Sequence, residues 1–199
     1  MPLSPSEIVA LLIAVSFAAG LNVYATVATL GLLSRAGLLE LPGQLGLVDE
    51  WWVIGIAGVL WAVEFVADKI PMFDVLWNLG QSVIRVPVSA VLAYAGAAPL
   101  GPEWQLAASA AGAVIAALAA GGKTAAHASV APSPEPLSNI ALSLAEDAFT
   151  IFIVWFATEH PFIAAGIALA ALAATVLLIR TVIRVVRRAV THRPNGLSI

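Results

Sequence analysis

The chain has 199 residues, of which 61% are hydrophobic and only 11% charged, with a mean hydropathy of +0.98 and a net charge of −3. An ordinary soluble domain carries roughly 25% charged residues and about half apolar ones, so that class is excluded. Cysteine is absent, which excludes disulfides, thiolate metal sites and cysteine nucleophiles.

The apolar residues are concentrated. Residues 8–34, 86–102, 104–122 and 160–179 contain no Asp, Glu, Lys or Arg, and charge-free runs near 20 residues are what a membrane-crossing helix needs. No Lys or Arg precedes the first run, and that run exceeds the length of a signal-peptide core, so it is expected to be retained as a span. Pro, Gly and charge divide the rest, predicting spans at 7–34, 51–70, 74–98, 104–125, 138–158 and 161–184. Strand-type alternation is missing, so the expected fold is all-α: one transmembrane domain over 1–199, a polytopic membrane helix bundle of about six transmembrane helices.

Flanking charges set the expected orientation. With a cytoplasmic N-terminus, the inner ends carry Lys69, Lys123, Arg180, Arg184, Arg187, Arg188 and Arg193. The outer loops then hold Arg35 among Glu40, Asp49, Glu50, Glu103 and Glu159. Trp51, Trp52, Trp104 and Trp155 would all meet the outer interface, where amphipathic rings are favoured. The expectation is a multi-pass protein of the cell (inner) membrane with both termini cytoplasmic. Two sets of three spans predict a 3+3 inverted repeat, with a faint echo between Ala18-Ala19-Gly20 and Ala119-Ala120-Gly121. Between the fourth and fifth spans, Pro132, Pro134 and Pro136 predict an extended cytoplasmic loop from His127 to Asn139.

Ionisable residues inside spans mark the candidate site, since each costs about 2.5–3.5 kcal/mol at mid-membrane on the insertion scale unless it finds a partner. Glu64, Arg85, Glu146 and Asp147 stand out. Glu64 shares a helical face with Asp68, which together with Lys69 is expected at the cytoplasmic interface. Asp74, Asn78, Gln81, Ser82, Arg85 and Ser89 form a polar stripe that must face protein or water. Asn139, Ser143, Glu146 and Thr150 form another, and Asn22, Thr26 and Thr29 a third. Lys123 and His127 lie at the inner end of the fourth span, His127 reading as an interfacial histidine. The inner-half acids Glu64, Asp68, Asp74, Glu146 and Asp147 outnumber Lys69, Arg85 and Lys123 by two. That surplus predicts a bound proton or a hard cation such as Na⁺, Mg²⁺ or Ca²⁺ among oxygen ligands. The bland alternative is a satisfied ion-pair network that holds the bundle together.

Three stretches carry a family resemblance: Ala18-Ala19-Gly20-Leu21-Asn22-Val23-Tyr24; Val63-Glu64-Phe65-Val66-Ala67-Asp68-Lys69-Ile70-Pro71 with Asp74 and Trp77; and Asn139 with Ser143-Leu144-Ala145-Glu146-Asp147. With these the chain resembles, over nearly its whole length, the bacterial integral-membrane family catalogued as domain of unknown function 4126. The resemblance implies membrane location and draws attention to Lys123, His127 and Asn139; it implies no reaction.

The leading expectation is a small transporter or channel for an ion or small polar solute. Its primary site residues are Glu64, Arg85, Glu146, Asp147, Asn22 and Asn139, and its secondary ones Asp68, Lys69, Asp74, Asn78, Lys123 and His127. Alternatives are a Mg²⁺-dependent membrane enzyme acting on a lipid or isoprenoid phosphate, and a non-catalytic scaffold. Expected partners are the bilayer, anionic headgroups at Arg180, Arg184, Arg187 and Arg188, and a second copy in a homodimer; no nucleic-acid partner is expected.

Overall fold

The computed structural model describes residues 3–68, 73–130 and 136–191, with side chains for 3–68, 77, 80–129, 140–184 and 187. Among these residues it is all-α, with seven helices: α1 Pro5–Leu21, α2 Val23–Arg35, α3 Trp51–Ala67, α4 Phe73–Gly96, α5 Pro102–Val130, α6 Pro136–Glu159 and α7 Pro161–Thr191. Proline opens α1, α5, α6 and α7, the one helical position where its missing N–H and fixed φ suit the backbone. A capping box between Ser4 and Glu7 also fixes the start of α1. Three stretches, Pro102–Ser129, Ile140–Glu159 and Pro161–Arg184, are long and apolar enough to cross a membrane, and Pro5–Leu21 and Trp51–Ala67 are shorter apolar helices. The chain is a multi-pass membrane protein.

The first expected span is two helices. Asn22 is extended, at φ −149° and ψ 101°, and serves both neighbours. Its N–H closes α1 on the Ala18 carbonyl at 2.9 Å, and its side-chain oxygen caps α2 by accepting from the Ala25 N–H at 2.9 Å. The chain then turns back. Gly20 lies against Ala116 and Ala119, and Gly112 against Ser16, so α1 runs parallel to α5. On the other arm, Gly31 meets Ile54 and Arg35 meets Glu50 and the Trp51 ring, so α2 runs antiparallel to α3. The loop after α2 bonds through the Gln44 N–H to the Ala95 carbonyl at the end of α4, and Leu12 and Leu45 both pack at Gly96. Residues 5–35 therefore form a V-shaped hairpin with both arms opening at the end where α3, α5 and α7 begin.

That end carries exposed Trp51, Trp52 and Trp104; the opposite, basic end carries Arg180, Arg184 and Arg187. At 1.5 Å per residue the 17 residues of α1 carry the Asn22 tip roughly 25 Å in from the tryptophan end. Three expectations are thereby corrected. The segment 7–34 is a re-entrant hairpin rather than a through-span. Where six spans are expected, the described residues hold three helices long and apolar enough to cross a membrane and two shorter apolar ones. The 3+3 inverted repeat also fails, because α1 and its expected counterpart α5 start at the same end and point the same way, whereas an inverted pair would be opposed. The expected extended loop over 127–139 is shorter too, since α5 continues to Val130 and α6 begins at Pro136; residues 131–135 lie outside the described ones.

Leu11, Ala14, Val15, Ala18, Leu30, Leu92, Ile153, Val154 and Ala164 fill the space between the hairpin arms and α4, α6 and α7. The outward faces are apolar as well, with Ile56, Val59, Val63 and Val66 exposed on α3 and Ile163, Leu169 and Leu177 on α7, as lipid contact requires. The parallel α1–α5 contact depends on small residues, because a Cβ on Gly20 would stand 2.6 Å from the Ala116 carbonyl oxygen. Gly20→Ala is therefore expected to lower stability in detergent by about 1–3 kcal/mol. Gly166→Ala, where a Cβ would meet nothing within 4 Å, is expected to leave it unchanged or raised, both read by thermal unfolding.

A buried ionic network at the hairpin tip

Four helices each bring polar side chains one turn apart, the spacing that puts residues i and i+4 on one face. On α3 these are Glu64 and Asp68; on α4, Gln81, Arg85 and Ser89; on α5, Lys123 and His127; on α6, Ser143, Asp147 and, beside it, Glu146. Glu64, Asp68, Arg85, Lys123 and His127 are all buried. Lys123 lies at the centre: its Nζ donates to Asp68 Oδ2 at 2.7 Å and to Glu64 Oε1 at 3.3 Å, and stands 3.7 Å from Glu146 Oε2. Arg85 donates through Nη2 to the same Glu64 oxygen. His127 Nε2 pairs with Glu146 Oε2 at 2.9 Å. Asp68 and His127, expected at the interface, are thus inside the bundle. The cause is that α5 stays helical past His127 and carries it across the buried ends of α3 and α6.

The tip of the hairpin touches this cluster from the other side. Asn22 Nδ2 donates to Asp147 Oδ1 at 2.9 Å, and Tyr24 on the return arm donates to Gln81 Oε1 at 3.0 Å. Thr26, also buried, returns its hydroxyl to the Asn22 carbonyl at 2.8 Å. One asparagine side chain therefore caps α2 with its oxygen and holds a carboxylate of α6 with its nitrogen. Asp147 in turn faces the start of α2, where the helix dipole favours negative charge.

Of the residues expected in the site, Asn22, Glu64, Asp68, Arg85, Lys123, His127, Glu146 and Asp147 come together. The side chains of Lys69, Asp74, Asn78 and Asn139 lie outside the described ones. The described acids Glu64, Asp68, Glu146 and Asp147 exceed the fixed cations Arg85 and Lys123 by two, the same surplus the sequence shows. Among the described residues no three His, Asp or Glu side chains are gathered to hold a metal ion. The described acids turn on an ammonium and a guanidinium. An apolar cavity of about 200 Å³ between α1 and α5 is lined by Val9, Leu12, Ser16, Trp104 and Gly112, among others. It lies on the tryptophan side and touches no member of the network.

The chain belongs to the family described as Domain of unknown function (DUF4126). The match covers residues 9–181, which takes in the hairpin and every member of the network. No curated protein and no solved structure matches the chain.

Removing Lys123 leaves its three carboxylates without the cation they share. Lys123→Met is expected to cost about 3–5 kcal/mol, as breaking a buried ion pair does. Adding Asp68→Leu is expected to recover part of that loss. Equilibrium unfolding in mixed micelles across the double-mutant cycle reads the coupling; additive costs would separate the two residues energetically.

Proposed function

We propose that this protein is a membrane transporter or channel for an ion or small polar solute, with its binding site at the hairpin tip. The observation that carries the reading is the tip itself. A helix broken at Asn22 projects into a buried ionic cluster that holds more acid than base. Broken helices with cap groups at membrane depth are a recurrent way of building ion and solute sites, and ionisable side chains inside a membrane bundle are costly enough to mark function by default. The sealed core between the hairpin arms separates the cluster from the tryptophan end, so the site in this state faces the basic end.

The hairpin also changes the sidedness this reading adopts. Basic residues favour the cytoplasmic face, so the end with Lys123, Arg180, Arg184 and Arg187 is inside, and exposed Arg180, Arg184 and Arg187 suit anionic headgroups there. Taking α3 to α7 as five crossings, this reading puts the start of α1 outside and the end of α7 inside, in place of two cytoplasmic termini. The chain has no cysteine, so single-cysteine variants report without background. In intact cells, Ser6→Cys is expected to react with a membrane-impermeant maleimide, and Arg187→Cys only after permeabilisation. Labelling of both from the same side would overturn this topology.

For transport, purified protein in liposomes is expected to move at least one species from a panel of monovalent cations, protons and small polar solutes, and Asp147→Asn to suppress that flux. A second reading, in which the network only clasps the helices, draws on the complete burial of Glu64 and Arg85. Absence of flux across the whole panel, with stability lost in Glu64→Gln, would favour the clasp.

A further inference from the structure

We infer that the species this network takes up and releases is the proton, loaded at the His127–Glu146 pair. The inference rests on the transport reading above and names its substrate. Three observations converge on it. First, the contacts are continuous. From Glu146 Oε2 the path runs to His127 Nε2 at 2.9 Å and to Lys123 Nζ at 3.7 Å, from Lys123 to Asp68 at 2.7 Å and Glu64 at 3.3 Å, and from that Glu64 oxygen to Arg85. Second, Glu146 keeps 13% of its side-chain surface exposed, whereas Glu64, Arg85, Lys123 and His127 keep none. The pair therefore has one partly exposed member and one fully buried one. Third, the described carboxylates meet hydrogen-bond donors rather than one another, Glu64 on Arg85 and Lys123, Asp68 on Lys123 and Glu146 on His127, an arrangement along which a proton can pass. A proton needs only one acceptor within hydrogen-bond reach.

The charge balance has room for it. Four described acids, Glu64, Asp68, Glu146 and Asp147, face the two basic groups Arg85 and Lys123. Around the pair stand Glu64 and Asp68 from α3, Arg85 and Gln81 from α4, Lys123 from α5, Asp147 and Ser143 from α6, and Asn22 and Tyr24 from the hairpin; Arg180 and Arg184 of α7 are exposed. A proton from water at the basic end adds to the neutral imidazole beside the Glu146 carboxylate, giving imidazolium and carboxylate. The described cluster gains one positive charge. Histidine is the side chain whose ordinary titration falls in the physiological range. Beside Glu146 in the chain is Asp147, which holds Asn22, so loading the pair changes the field on the residue that anchors the hairpin.

The test uses the full chain in liposomes with a trapped pH-sensitive dye and a membrane potential set by potassium and valinomycin. Wild type is expected to carry protons down the potential, and His127→Gln and Glu146→Gln to slow them by about a hundredfold, as loss of a proton-transfer group does. Glu146→Asp is expected to restore part of the rate. A second measurement follows the ring itself: an infrared imidazole band absent from His127→Gln is expected to change to its imidazolium form as pH is lowered through the ordinary histidine range. Movement of sodium or a neutral solute without protons would overturn the inference and leave the transport reading standing; no flux of any species would overturn both. Proton flux undiminished in folded His127→Gln and Glu146→Gln proteins would place loading elsewhere and overturn it as well.

Discussion

A charged side chain can stay inside a lipid-surrounded bundle only if other side chains take the place of its water, and Lys123 shows how far that requirement shapes the molecule. Its ammonium is within reach of carboxylates from two other helices, Glu64 and Asp68 on α3 and Glu146 on α6. Arg85 from α4 joins through Glu64. Each helix is amphipathic in the inverse sense of a soluble one, with its polar residues inward and its Val, Ile and Leu outward, and only one mutual rotation of α3 to α6 satisfies them all. Desolvating these groups is costly, so their pairing is weak evidence for added stability; it is better evidence for a specified arrangement.

The hairpin is a consequence of the same rule applied to backbone. A helix that stops within the membrane exposes carbonyls at one end and N–H groups at the next, and neither can be left bare in hydrocarbon. Asn22 answers part of that need by closing α1 with its N–H and capping α2 with its side-chain oxygen. Its side-chain nitrogen donates to Asp147. Glycine would allow the same backbone but could provide neither the cap nor the carboxylate contact, which makes asparagine the suitable residue at this break.

The sequence made the outer helices legible and concealed the hairpin, for different physical reasons. Apolar length revealed α5, α6 and α7 directly. The 3.6-residue period exposed the Gln81, Arg85 and Ser89 stripe, and all three are buried. Residues 8–34 hide their break because both arms are apolar and no proline or charge marks the tip. What turns α2 back is tertiary: the Gln44 bond to Ala95 and the contacts of Arg35 with Asp49, Glu50 and Trp51. The spacing of Lys123 and His127, one turn apart like Glu64 and Asp68, was the available signal that His127 belongs to the inward face. Its position just before a proline-rich stretch argued for the interface instead.

The polar groups are distributed unevenly along the bundle. From the tip toward the tryptophan end, the space between the helices is filled by Ala14, Val15, Leu11, Leu30, Leu92 and Ile153. Ser16, Ser89 and Thr26 are buried there as isolated polar groups, Ser89 and Thr26 returning their hydroxyls to nearby carbonyls. Toward the basic end, charge meets charge through four helices. A rigid bundle with that asymmetry would be a one-sided pocket with no way across. The element that spans the apolar half is the hairpin, whose arms enter and leave at the tryptophan end and which Asn22 ties to Asp147 of α6. The ion pairs join α3, α4, α5 and α6 to one another, and the hairpin meets them through neutral groups, Asn22 on Asp147 and Tyr24 on Gln81, so the charged half is held together by contacts that do not pass through the hairpin.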